Sequence, residues 1–131
     1  MKKASLLLAE DNADMRSLLK WLLESEGFTV IAAEDGRTAF QALDNLHPDV
    51  ILTDLMMPGM DGVELIKRVR NTSEFAKTPI VAMTAYGPGY MSLASVAGAD
   101  ASIRKPEDLD VLVHTINEVL TKAAAGGATS H

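Results

Sequence analysis

Three carboxylates stand where apolar runs break off. Glu10 and Asp11 follow Leu6-Leu7-Leu8-Ala9, and Asp54 follows Val50-Ile51-Leu52-Thr53. Acids that follow buried strands converge at one edge of a parallel sheet. There, repulsion of about 4 kcal/mol per pair at ~4 Å favours a bound cation or a shared proton. Taken singly, each acid has a plainer role. Asp54 alone reads as a helix cap or loop acid, and Glu10-Asp11 as charges favouring the next helix N-terminus.

The elements that position these acids alternate in type. Ser5 to Ala9, Phe28 to Ala33, Asp49 to Thr53, Ile80 to Thr84 and Ala101 to Arg104 read as strands, with helix-period segments between them. In the first helix Met15, Leu18, Leu19, Leu22 and Leu23 form an apolar stripe, with Asn12 as N-cap and Gly27 at a left-handed C-terminal position. Trp21 flanks that stripe and reads as a core-edge residue rather than a docking aromatic. A second helix spans Gly36 to about Asn45, and Asp61 with Glu64 resembles a capping box opening a third. The last helix is predicted from about Leu109 to Lys122, with 123–131 as a fraying, flexible tail after a domain of residues 1–122.

Five β-then-α units imply an α/β, doubly wound, five-stranded parallel sheet of flavodoxin-like type, because parallel strands need right-handed crossovers. Ala101-Ser102-Ile103-Arg104 reads as its edge. In the order 2-1-3-4-5 the ligand crevice lies beyond strands one and three, which gathers Glu10, Asp11 and Asp54.

At 131 residues the chain has room for one domain. Its 12 Lys+Arg against 18 Asp+Glu give a net charge of −6, without the basic excess that direct nucleic-acid binding needs. There is no cysteine, which excludes thiol chemistry and fits a reducing compartment, so a cytoplasmic location is expected. No stretch approaches the ~20 apolar residues of a membrane span. His47 and His114 lack a second histidine at metal-ligand spacing and read as structural. Met56-Met57-Pro58-Gly59-Met60 reads as loop packing, since thioethers beside hard carboxylates do not suit copper.

Together, Leu8-Ala9-Glu10-Asp11-Asn12, Asp54 through Gly62, Met83-Thr84-Ala85 and Lys105-Pro106 resemble the receiver domain of bacterial two-component response regulators over about Ser5 to Leu120. The resemblance implies that Asp54 is the phosphoacceptor, taking a phosphoryl group from a histidine kinase or phosphotransfer protein. It implies one Mg²⁺ held by Glu10, Asp11, Asp54 and the backbone carbonyl of Met56. Thr84 and Lys105 would bind phosphoryl oxygens. Such a domain acts through protein contacts with a downstream partner rather than as an enzyme. The residue types suit the chemistry: a carboxylate can attack phosphorus, Mg²⁺ takes a few carboxylates plus phosphate oxygens, and lysine is a mobile point charge.

The chain departs from the family at Ser102, the switch position, where receivers usually carry an aromatic side chain that transmits phosphorylation; Tyr86 or Tyr90 is expected to substitute for it. Glu107, too, stands where an aromatic is common. Met56 and Tyr86 occupy the two positions that tune phosphoryl lifetime, and neither can orient water. Gly87, Pro88 and Gly89 are expected to delay the fourth helix to about Tyr90 to Ala97. That helix bears only Ser92 and Ser95 as polar side chains, which suggests a homodimer or partner contact.

Three other readings compete. A phosphorylation-independent pseudo-receiver would dock without using its acids. A Mg²⁺-dependent aspartyl-nucleophile phosphatase of the haloacid dehalogenase type would need a second aspartate where Met56 stands. A flavodoxin-like cofactor binder would need a hydroxyl- and glycine-rich phosphate loop in place of Glu10-Asp11.

Overall fold

The computed structural model describes residues 4–85, 88–104 and 109–129. The chain runs β1 (Ser5–Ala9), α1 (Ala13–Ser25), β2 (Thr29–Ala33), α2 (Gly36–Leu46), β3 (Val50–Asp54) and α3 (Gly62–Arg70). A short 3-10 turn (Ser73–Phe75), β4 (Ile80–Thr84), α4 (Pro88–Ala97), β5 (Ala101–Arg104) and α5 (Leu109–Thr129) complete it. The five strands form one parallel sheet in the order β2-β1-β3-β4-β5. The expected architecture and its edge strand β5 are thus both present.

Alternation along the central strands divides the core in two. Leu7, Ala9, Ile51, Ile80 and Ala82 face α2, α3 and α4, packing with Leu43, Leu65, Ile66 and Ala94. Leu6, Leu8, Val50, Leu52, Val81 and Met83 face α1 and α5, against Leu19, Leu23, Leu112 and Ile116. Strands buried on both faces must be apolar throughout, which is why β1, β3 and β4 read as continuous hydrophobic runs. Each fully buried Leu or Ile contributes about 1.5–3 kcal/mol relative to exposure.

The helix starts follow local chemistry. The Asn12 side chain accepts from the Met15 amide at 2.9 Å, Asp35 from the Thr38 amide at 2.7 Å and Asp61 from the Glu64 amide at 2.9 Å. Each bond satisfies a donor that the first helical turn leaves open. At Asp61 the capping box is half formed, because the Glu64 carboxylate accepts from the Arg68 Nε at 3.1 Å. Gly27 has a φ of 100°, the left-handed conformation expected after α1.

Three sequence expectations need correction. Helix α4 starts at Pro88, not Tyr90. A proline's fixed φ suits a first helical residue, whose amide would lack an intrahelical partner anyway. Helix α5 continues past Lys122 to Thr129, since Ala123, Ala124 and Ala125 are the strongest helix formers. Trp21 is 67% exposed rather than tucked at the core edge, and Leu18, three residues earlier, is also exposed. The buried stripe of α1 is therefore narrower than its run of apolar residues, and centres on Leu19 and Leu23.

Candidate functional site

Parallel register sets the three acids side by side. Ala9 pairs with Thr53 across β1 and β3, so the residues that follow, Glu10 and Asp54, leave the sheet together at its carboxyl edge. Carboxylate oxygens of Glu10, Asp11 and Asp54 all lie within 4.8 Å of one another, with Glu10 and Asp54 buried and Asp11 exposed. One side of the cluster is thus embedded in the protein and the other opens to solvent.

Local hydrogen bonds fix these side chains. A Glu10 carboxylate oxygen accepts from the Asn12 amide at 3.0 Å, and Asp54 Oδ1 accepts from the Met56 amide at 3.2 Å. The Glu10 amide itself donates to the Ala33 carbonyl at 3.0 Å, tying the end of β1 to β2. Thr84 ends β4 and is fully buried, one residue beyond the Asp54–Met83 pair. Four of the predicted site residues, Glu10, Asp11, Asp54 and Thr84, therefore end at or just past one edge of the sheet. Lys105, Glu107 and Tyr86 lie outside the described residues.

The loop after Asp54 is held by two close backbone approaches. A Cβ at Gly62 would collide with the Asp54 carbonyl and lie 2.8 Å from the Leu55 Cα, while the Gly62 amide donates to the Leu55 carbonyl at 3.0 Å. A Cβ at Gly36 would collide with the Met60 carbonyl, so the first turn of α2 rests directly on that loop. Within it Met57 is buried and Met56 is 42% exposed. The loop-packing reading fits Met57, whereas Met56 presents its side chain to solvent.

Ser102 lies on β5 opposite Ala82. With Met91, Ser92, Ser95, Ala99 and Asp100 it lines an open groove of about 450 Å³ between α4 and β5. Tyr90, one candidate substitute for an aromatic at 102, packs against the core on the α2–α3–α4 side. His47 takes a left-handed φ of 47°, contacts Glu74 at 3.1 Å and packs its ring on Phe75. It serves the α2 terminus rather than the acid cluster.

Two contributors escaped the sequence reading. Gly36 was legible as a helix start but not as a contact with Met60, which joins distant segments. Arg16 carried no signal beyond its place in the turn after the acids. Its Nη1 donates to the carbonyls of Glu10 at 2.9 Å and Asp11 at 3.4 Å.

Comparison with known proteins agrees with this geometry. Residues 6–117 match the response regulator receiver domain family. The transcriptional regulatory protein CpxR of Escherichia coli is 38% identical over 119 residues, 90% of this chain and 50% of CpxR. CseB of Streptomyces avermitilis, also a transcriptional regulatory protein, is 35% identical over 92% of this chain and 51% of its own length. The chain thus spans about half the length of these relatives. The structure of chemotaxis protein CheY4 from Vibrio cholerae superposes with a TM-score of 0.84 at 31% identity, covering 90% of this chain and 99% of that one. This chain belongs to the response regulator receiver domains, the signalling modules of two-component systems.

Proposed function

We propose that the chain is a phosphoacceptor receiver modified at Asp54 in a Mg²⁺-dependent reaction. The observation that carries this reading is the convergence of three carboxylates within 4.8 Å, two of them buried. Hard oxygen donors clustered on one open side suit Mg²⁺, which retains waters and takes phosphate oxygens as further ligands. Glu10, Asp11 and Asp54 would hold it, with the carbonyl of Met56. When bound, it neutralises charge on the phosphoryl oxygens.

Asp54 supplies the nucleophile. One carboxylate oxygen attacks the phosphorus of a phosphohistidine on a histidine kinase or phosphotransfer protein. The O–P bond forms as the N–P bond breaks, and the released electron pair stays on the imidazole nitrogen. Thr84 donates its hydroxyl to one phosphoryl oxygen and Lys105 pairs with another, the roles that the resemblance to receiver domains implies for these two positions. In-line positioning does most of the work, so no strong general base is needed.

Downstream signalling runs through protein contacts in the cytoplasm, with residues 1–122 as the signalling domain. Helix α4 carries no charged side chain, and its Leu93 and Val96 are exposed, which supports a partner or homodimer contact there. Among the described residues no helix is long and apolar enough to cross a membrane. Incubation with acetyl phosphate tests the reading: one phosphoryl group is expected in Mg²⁺ and none in excess EDTA. Labelling that ignores EDTA would contradict it.

A further inference from the structure

We infer that Arg16 is a positioning residue for the metal site, holding the segment that presents Glu10 and Asp11. This rests on the Mg²⁺ reading above and extends it to a side chain outside the acid cluster. A single guanidinium nitrogen, Arg16 Nη1, donates to two successive carbonyls, those of Glu10 at 2.9 Å and Asp11 at 3.4 Å. These two carbonyls belong to the peptide planes that join Glu10 to Asp11 and Asp11 to Asn12. Rotation of either plane would swing the Asp11 carboxylate, which is exposed, away from its neighbours.

The rest of the segment is already anchored. Asn12 donates its amide to the Glu10 carboxylate at 3.0 Å, caps α1 through the Met15 amide at 2.9 Å, and accepts from the Arg16 amide at 2.8 Å. Arg16 thus ties the acids to the first turns of α1, whose inner face is sealed by Leu19 and Leu23. Partners that orient metal ligands from outside the ligand set commonly change metal affinity by about tenfold or more.

The sign of the effect separates this role from simple charge. A guanidinium beside a cation site repels the cation, so an effect of charge alone would make binding tighter when Arg16 is neutralised. Positioning gives the opposite result. Mg²⁺ alone, titrated calorimetrically into the full chain, distinguishes them. Arg16→Met, which keeps the aliphatic stem and loses every donor, is expected to bind about tenfold more weakly. Arg16→Lys, which keeps a donor on a long stem, is expected to recover part of that loss.

Unchanged or tighter binding by Arg16→Met would overturn the inference, as would equal weakening in the Met and Lys variants. Circular dichroism melts establish folding. Should Arg16→Met fail to fold, Arg16→Ala, which also loses every donor, replaces it, with about tenfold weaker binding expected and wild-type or tighter affinity overturning the role. Absence of Mg²⁺ binding by the wild-type chain would remove the metal reading and this inference with it.

Discussion

Arg70 at the end of α3 donates to the Asp100 carboxylate at 2.9 Å, and the same Asp100 oxygen accepts from the Ile80 amide at 2.8 Å. The guanidinium also serves the carbonyls of Gly98 at 2.9 Å, Ala76 at 3.1 Å and Thr78 at 2.7 Å. One partly buried side chain thereby joins α3, the approach to β4 and the turn into β5. Gly98 has a φ of 123°, and a Cβ there would lie 2.7 Å from the Arg70 Cγ. Arg70→Met is expected to cost about 2–3 kcal/mol in urea unfolding, because several backbone carbonyls lose a charged donor at once. A loss below about 0.5 kcal/mol would show that water replaces it.

The closure of the β3–α3 loop gives a second test. Gly62→Ala places a methyl group against the Asp54 carbonyl and the Leu55 Cα, neither of which can move without shifting β3. The expected cost is about 1–3 kcal/mol, accompanied by slower labelling with acetyl phosphate. Labelling at the wild-type rate by a destabilised Gly62→Ala chain would show that the loop relaxes without displacing Asp54.

Phosphoryl lifetime should follow the apolar character of Met56. Its exposed side chain follows Asp54 by two residues and offers no group that orients an attacking water. Slow loss of the phosphoryl group is expected from the wild type. Met56→Asn is expected to shorten the lifetime by about tenfold or more, by adding a water-positioning amide. A wild-type lifetime of seconds in Mg²⁺ buffer would contradict this account.

Acid stability should report the α2 cap. Hydrogen bonding from the Thr38 backbone, then from its side chain, holds the Asp35 carboxyl below its ordinary value of 3.8. A carboxyl with a lowered folded pKa contributes stability that is fully present above the unfolded value and lost as pH falls through the folded one. The difference in urea midpoint between wild type and Asp35→Ala is therefore expected to be constant near neutrality and to shrink below about pH 3.8. A gap that widens on acidification would rule out this capping role.

The central strands and the acid cluster were legible because two-sided burial demands unbroken apolar runs, and parallel register brings strand ends together. Caps at Asn12 and Asp61 were readable for a similar reason, since an N-cap acts within three residues of itself. Contacts between distant segments were not readable. Trp21 stands two residues from both Leu19 and Leu23, on the opposite side of α1 from these buried leucines, so its exposure follows from a buried stripe narrower than the apolar run suggested. Arg16, Arg70 and Gly36 act on backbone carbonyls, which carry no side-chain signature. The extension of α5 to Thr129 shows alanine propensity outweighing two glycines near the chain end.

The most direct test of the central claim compares wild type with Asp54→Asn after acetyl phosphate and Mg²⁺ treatment, read by intact mass and peptide mapping. The wild type should gain one phosphoryl group on the peptide containing Asp54, and the variant should gain none. Equal labelling of Asp54→Asn would contradict the assignment of Asp54 as the phosphoacceptor.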